Sequence, residues 1–547
     1  MSGTSELTGL SDRLARRVGA EHAHLQLVRD FERLMEGAPD WRVSAPGGPR
    51  VGVATFGSGG WHFVLEALLA HALAARGAQA QLLICDLPDL PICDERTVHS
   101  REIDRCAGCF RDKRALIEAS GLPWRGISSL VGVDSLPRAR ATVAALDDAA
   151  LEAHVERGWP IGRWLHVSAC HYLRCDARGE EPEKIDTRRR LLAVAIVIVE
   201  AVERWLDETR PDLLIAESGA HVEWRIAMEL ARARGIRVTC REMGKGGWDH
   251  HLYAFDADCM APNLDEEWSQ IRQVPLSSSA ESAVDAFLDQ LPAKTYPQRT
   301  SSPRGRADLQ SSLGIPPGRR IAVAFTNVTW DLATAGRDVA FTSVLDWVRD
   351  TIQVVGRHPG THLILRAHPA EASVTTRERI LDQVAREWPG GLSHVTLLQP
   401  EAPIAARDLF EIADLVLAYN STAGLEAASH GCTTIVCGRP HYRGKGFTID
   451  VNSRQDYDGV LAGWANGQPV AAPPNARELA RRYFHLFFLR YHVPLGWTTS
   501  PLEPPYELLV RSMDELGPGA NPVLDLVCDG ILNGRQVLLP REAACTP

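Results

Sequence analysis

The apolar positions of this chain fall in short continuous runs separated by longer stretches of helical spacing. That is the pattern of parallel strands buried on both faces and joined by crossover helices. RVGVATF at 50–56 predicts a first strand, 61–76 a helix and 80–85 a second strand, so a βαβ unit opens the first sheet. The alternation resumes with a long helix over 186–209, a strand over 212–216, a helix over 221–234 and a strand over 237–241. A second series predicts strands over 320–326, 361–366, 395–398 and 413–418, then a helix from about 421 and a further strand ending near 437. Strands alternating with helices at this spacing place the chain in the α/β class.

At 547 residues the chain is too long for one hydrophobic core, and two domains are expected. The pattern divides it into a helical extension (1–48), a first Rossmann-like domain (49–270), a linker (271–318) and a second domain (319–475). The segment 476–547 is read as C-terminal helices bracing both domains; it opens with the unusually aromatic ARELARRYFHLFFLRY. The linker holds Ser277-Ser278-Ser279 and a stretch over 295–306 rich in Pro, Ser and Arg.

Hydrophobic content of 45% and charged content of 23% are those of an ordinary soluble globular protein. A formal net charge of -10 argues against nucleic acid as a partner. The first residues are charged and amphipathic, unlike a secretory signal. The longest aliphatic run, 191–199, is far short of the ~20 residues of a membrane span. It follows Arg188-Arg189-Arg190, which leaves peripheral membrane contact open. Twelve scattered cysteines read as reduced thiols, hence a cytoplasmic location.

Candidate chemistry gathers at the predicted strand ends, where open α/β sheets bind ligands. In the second series, THLILRAHP carries Arg366 and His368, a guanidinium fork and an imidazole suited to phosphate oxygens. The strand over 413–418 runs into Asn420-Ser421-Thr422, and the following helix start, with its small residues and Gly424, is a natural seat for phosphate. Glu426 in the first turns suits a cap or a sugar hydroxyl. RIAVAFT ends in Thr326-Asn327, a third polar tip.

Three of these segments together resemble the capsule polysaccharide biosynthesis family, including its Kdo-transferase-like glycosyltransferases. They are Arg366-Ala367-His368-Pro369, the stretch NSTAGLEA over 420–427, and the loop GRPHYRGKGFTID over 438–450. The resemblance implies a GT-B-like architecture, two Rossmann-like domains with a deep interdomain cleft and C-terminal helices returning to the first. It further implies a nucleotide-sugar donor (CMP-Kdo or a similar sugar, CMP- or UDP-type) in the second domain. Arg366, His368, Asn420, Ser421, Thr422, Gly424 and Glu426 would hold its phosphate, and Tyr442, Arg443 and Lys445 would close over it. The acceptor would be a hydroxyl of a glycan, glycolipid or small metabolite.

In the first domain, Gly57-Ser58-Gly59-Gly60 follows a strand and opens a helix, a turn where acceptor or donor could approach the backbone. His62 lies just beyond it; Glu217 and Glu242 end strands, where a carboxylate serves as base or as charge stabiliser in glycosyl transfer. Asp249, His250 and His251 add a further cluster. Cys85, Cys93, Cys106 and Cys109 form a candidate structural zinc site on the half-motif Cys106-x-x-Cys109. Catalysis itself is expected to need no metal or cofactor, since helix dipoles and basic side chains can neutralise a leaving phosphate. Rival readings are a sugar-nucleotide epimerase or hydrolase of the same plan, a polyol-phosphate transferase, and an inactive nucleotide-binding scaffold.

Overall fold

A computed structural model of the chain describes residues 26–36, 47–57, 60–87, 90–93, 105–244, 249–295, 305–372, 375–499 and 507–542. Six strands come first: β1 Arg50–Thr55, β2 Gln79–Ile84, β3 Trp124–Gly126, β4 Leu213–Glu217, β5 Arg237–Met243 and β6 His250–Phe255. β7 Arg320–Phe325, β8 Thr361–Arg366, β9 Val395–Leu398, β10 Leu415–Ala418, β11 Thr434–Val436 and β12 Ile449–Asp450 follow, and then β13 Val493–Pro494. The chain divides into two compact units. One comprises Met1–Ser168, Glu180–Cys259 and Tyr491–Leu539; the other comprises Ala169–Gly179, Met260–Arg490 and Pro540–Pro547.

The sheet of the first unit runs β13-β6-β5-β4-β1-β2-β3. From β3 to β5 all neighbours are parallel. The strand order reverses direction between β1 and β4, the switch point at which such sheets open a crevice beyond their carboxyl ends. β6 and β13 depart from the all-parallel expectation, because β6 runs antiparallel to β5 and β13 antiparallel to β6. The connection from Met243 to His250 is too short for a crossover, which takes a dozen residues or more, so the chain can only turn back.

Helix Gly60–Ala74 (GWHFVLEALLAHALA) is apolar over most of its length, the mark of a buried helix, with His62, Glu66 and His71 as its polar side chains. Val64, Leu65, Leu68 and Leu69 share a core with Val51, Val53, Leu82 and Leu213. On helix Pro182–Thr209, Trp205 packs where Gly52 has no side chain; a Cβ there would stand 2.6 Å from the indole. The aromatic segment expected outside both domains is split between the units. Helix Ala476–Phe484 stays in the second unit, where Arg481 Nη1 donates to Asp285 at 2.8 Å. The chain then widens into a π-helical turn, His485–Tyr491, and enters the first unit at Tyr491, whose hydroxyl donates to Tyr253 O at 2.9 Å. The expected linker also contains structure of the second unit, helices Ser278–Thr295 and Arg306–Ser312.

The sheet of the second unit, β12-β11-β10-β7-β8-β9, is parallel throughout. Its first three strands in sequence lie on one side and the next three on the other, so the reversal falls between β7 and β10. Both units are thus mixed α/β structures with the same doubly wound strand order. Among the described residues no helix is long and apolar enough to cross a membrane.

Candidate functional site

At the β1/β4 switch point of the first unit the structure brings together His62 and Glu217. Glu217 is the last residue of β4, and Ser218 behind it takes a left-handed φ of 50°, an uncommon conformation for a residue with a side chain. Ser218 N donates to Arg241 O at 2.8 Å, which pins this turn to the end of β5. Gly219 follows at φ 75°, and a Cβ there would lie 2.7 Å from Cys240 Sγ. The turn therefore holds Glu217 with little freedom, and its Oε1 meets His62 Nδ1 at 2.7 Å.

Four further polar groups crowd this pair. Arg241, 1% exposed, reaches His62 Nδ1 with Nη2 at 3.5 Å and His251 Nδ1 with Nη1 at 3.4 Å. One ring nitrogen cannot serve both neighbours. The 2.7 Å carboxylate contact is the stronger, so Nδ1–H donates to Glu217 and Nε2 is left as the basic nitrogen. Burial, and then the Arg241 charge, keep His251 well below the usual histidine range, consistent with a neutral ring accepting from Arg241. Glu66, one helical turn beyond His62 and 2% exposed, is pushed up to about 7 by burial and by the Glu217 charge. Glu242 is also raised, first by burial and then by Glu217; its Oε1 accepts from Met243 N at 2.9 Å. Asp249 pairs with His250 at 2.9 Å, and that bond holds its carboxyl below the usual range.

The neighbouring sequence calls divide. Gly57 is buried and Gly60 begins the helix, whereas Ser58 and Gly59 lie outside the described residues. Cys85, Cys93 and Cys109 are half-buried, and the side chain of Cys106 lies outside the described residues. Glu66 and Arg241 were missed by sequence reasoning. The signals were present: a lone carboxylate inside WHFVLEALLA, and an arginine within the short strand RVTCREM.

At the β7/β10 switch point of the second unit, Asn420 N donates to Asn327 Oδ1 at 3.1 Å, tying the ends of β10 and β7 together. The ends of β8 and β10 share this sheet edge, one on each side of β7. His368 lies there half-buried, and its Nδ1 accepts from Ala370 N at 3.2 Å. Helix Ala423–His430 starts two residues later than expected, with Thr422 as its N-cap. Its first amides are already engaged: Ala423 N with Ser421 Oγ at 3.3 Å, and Gly424 N with Ser421 O at 3.1 Å. Thr422 and Glu426 are half-buried at the rim, and Ser421 is 7% exposed.

Four residues expected to bind phosphate or close over a donor are instead committed to holding the fold. The Arg366 guanidinium, 2% exposed, donates to Gln399 O at 2.6 Å and to Ala402 O and Ile404 O at 3.2 Å each. It braces the loop after β9. Gly424 is small because Tyr442 Oη occupies the space a Cβ would take, and that hydroxyl donates to Ser421 O at 2.6 Å. Arg443 ties the loop over 438–450 to Gly438 O at 3.0 Å and Val451 O at 2.7 Å. Lys445 pairs with Asp265 and lies 5.9 Å from the centre of the Tyr483 ring. Backbone carbonyls claim the donors of Arg366, Tyr442 and Arg443, and the Asp265 carboxylate takes Lys445, before a ligand can.

No curated protein matches the chain. Among solved structures it is similar to two Thermosulfurimonas dismutans KpsC transferases. For the beta Kdo 2,7 transferase the identity is 15%, the coverage 53% of this chain and 81% of that one, and the TM-score 0.32. For the beta Kdo 2,4 transferase the figures are 15%, 55%, 86% and 0.33. A putative UDP-N-acetylglucosamine 2-epimerase from Listeria monocytogenes matches at 10% identity over 80% of this chain and 96% of that one, with a TM-score of 0.24. A family model matches residues 335–458, the stretch that contains Arg366, His368, the Asn420 turn and the loop over 438–450. That family is the capsule polysaccharide biosynthesis proteins, and the second unit of this chain carries its signature.

Proposed function

We propose that the chain is a GT-B-type glycosyltransferase, moving a sugar from a CMP- or UDP-type nucleotide sugar to a hydroxyl of a glycan, glycolipid or small metabolite. The observation that carries this reading is the 2.7 Å His62–Glu217 contact at a switch point. Glu217 holds Nδ1–H, so Nε2 takes the acceptor proton as the hydroxyl oxygen attacks the anomeric carbon; the bond to the nucleotide phosphate breaks, and the nucleotide leaves. Glu217 stabilises the imidazolium that results.

The donor belongs at the carboxyl edge of the second sheet, where the family match lies, with His368, Ser421, Thr422 and Glu426 as its contacts and Asn327 fixing the Asn420 turn. Arg366, Tyr442, Arg443 and Lys445 support that edge from behind. No step requires a metal.

The test is nucleotide release from CMP-Kdo and a panel of UDP-sugars, with and without capsule-type oligosaccharide acceptors. His62→Asn and Glu217→Gln should each lower kcat by about 100-fold or more, the usual weight of a positioned base, with donor KM within about threefold. Release at full rate without an acceptor would replace transfer by hydrolysis or epimerisation. A chain that no nucleotide stabilises against heat would be an inactive scaffold.

A further inference from the structure

The His62–Glu217 pair does not account for Glu66. This carboxylate sits one turn along the same helix, 2% exposed, in an otherwise apolar sequence. Its Oε2 has no hydrogen-bond partner, while Thr55 at the end of β1 bonds the carboxyl. The charged groups facing it are Glu217 on β4, Arg241 on β5 and His62 on its own helix, and Glu242 and His251 face the same His62–Glu217 pair from β5 and β6. Among the described residues named here Arg241 is the one permanent positive charge. It cannot compensate two carboxylates as well as an imidazolium, and two carboxylates in a buried space do not both ionise.

We propose that Glu66 is a positioning residue acting through the His62–Glu217 pair, a buried acid whose proton leaves Glu217 as the single carboxylate that orients the imidazole. This deepens the proposed function and rests on its assignment of His62 as base. While Glu66 is neutral, Arg241 and Glu217 balance, and His62 can release and take a proton at Nε2. Once Glu66 ionises, a second negative charge beside the ring holds the proton on His62 until the pH is higher. Loss of the Glu66 proton would therefore delay completion of the base instead of ending it.

The test needs no substrate. Diethyl pyrocarbonate acylates the neutral imidazole, and the rate at His62 can be read peptide by peptide by mass spectrometry across the pH range. In the full-length wild type the rate should rise in two separate steps. In Glu66→Gln, a near-isosteric mimic of the neutral acid, it should rise in one. The two proteins should agree below about pH 6 and differ at least about threefold above about pH 7.5, the wild type being slower. Profiles that superimpose within about twofold throughout would overturn the proposal. If Glu66→Gln fails to fold, a single-step wild-type profile overturns the proposal, and a second step that survives in Glu242→Gln supports it, since Glu242 is the other carboxyl that faces His62. Failure of the transferase reading is distinguishable: a two-step profile with unimpaired transfer in His62→Asn would remove His62 as base and leave its coupling to Glu66 standing.

Discussion

Arg366 shows how one residue can be read correctly for place and wrongly for role. The sequence puts a cation at the end of a buried strand, and the structure agrees; the three carbonyls that take its guanidinium belong to a loop more than thirty positions away, which no local pattern reveals. Arg366→Ala should therefore act on stability before binding. Ile404 O is buried and the other two bonds are partly buried; leaving a buried carbonyl unpaired costs about 1–3 kcal/mol, so urea unfolding should show a loss of at least about that size. A variant of unchanged stability with a raised donor KM would restore the phosphate role. Glu371 makes a second residue-scale case. It is 1% exposed, neither carboxylate oxygen has a partner, and burial pushes it up to about 7 from its ordinary 4.5. Its folded-state affinity for a proton exceeds the unfolded one. The stability it contributes is thus complete below about pH 4.5 and is lost as pH rises through about 7. Glu371→Gln removes that loss, and its melting temperature relative to wild type should climb between pH 5 and pH 8, by the equivalent of up to about 3 kcal/mol. A constant difference across that range would show that Glu371 stays ionised in the folded protein. Glu217 was placed by its strand tip and His62 by the glycine turn before its helix; Glu66 and Arg241 were not legible, because burial of a charge is invisible until its neighbours are placed.

Elements built from short apolar runs were the most legible: β1, β4, β7, β8, β9 and β10 all fall where the pattern predicts them, to within a residue or two. Those set by pairing partners were not. β6 is six residues of HHLYAF whose only local signal is weak alternation, and it exists because β5 offers an open edge. The helix expected from 421 begins at Ala423 because Ser421 spends its hydroxyl and carbonyl on the turn, not on helix bonds. The loop over 438–450 reads as a flexible glycine-rich flap, yet Asp450 accepts from Gly444 N and from Thr448 Oγ1 at 2.7 Å each, and Arg443 staples its base. This loop and the helix start form one interlocked element, and a double-mutant cycle measures the lock. Tyr442→Phe should cost about 1–3 kcal/mol, because it leaves the buried Ser421 O unpaired. Gly424→Ala should cost a similar amount by colliding with the hydroxyl. Combined, the two should cost less than their sum by about 1 kcal/mol, since removing the hydroxyl makes room for the methyl. Strict additivity in chemical unfolding would mean that the loop and the helix start move independently.

For the whole molecule, strand–helix alternation and length gave away two doubly wound sheets. They did not by themselves give away that residues 491–539 belong to the first unit, although the family resemblance, with its C-terminal helices returning to the first domain, pointed that way. Ownership depends on contacts hundreds of positions apart: Leu495, Trp497, Leu508, Met513, Leu516, Leu524, Val527 and Ile531 lie in one core with Val51, Leu68 and Leu213. β13 pairs with β6, and Arg76 Nη1 donates to Leu516 O at 2.8 Å. The family resemblance made these residues part of helices that return to brace the first domain, and their burial makes them part of its core. The distinction has a measurable consequence. Fully burying a large apolar side chain is worth about 1.5–3 kcal/mol, so the eight named here outweigh the about 5–15 kcal/mol by which a domain is stable. A chain ending at residue 490 should consequently lose the first unit as a cooperative structure. Calorimetry should then show one transition assignable to the second unit, and limited proteolysis should degrade the first unit while sparing the stretch over 305–490. Thermal stabilisation by nucleotide should persist in that truncated chain if the donor edge is in the second unit, while His62-dependent transfer disappears. Should the truncated chain keep both transitions, residues 491–539 would be a removable brace after all, and the first sheet would have to be stable on the helices that precede them.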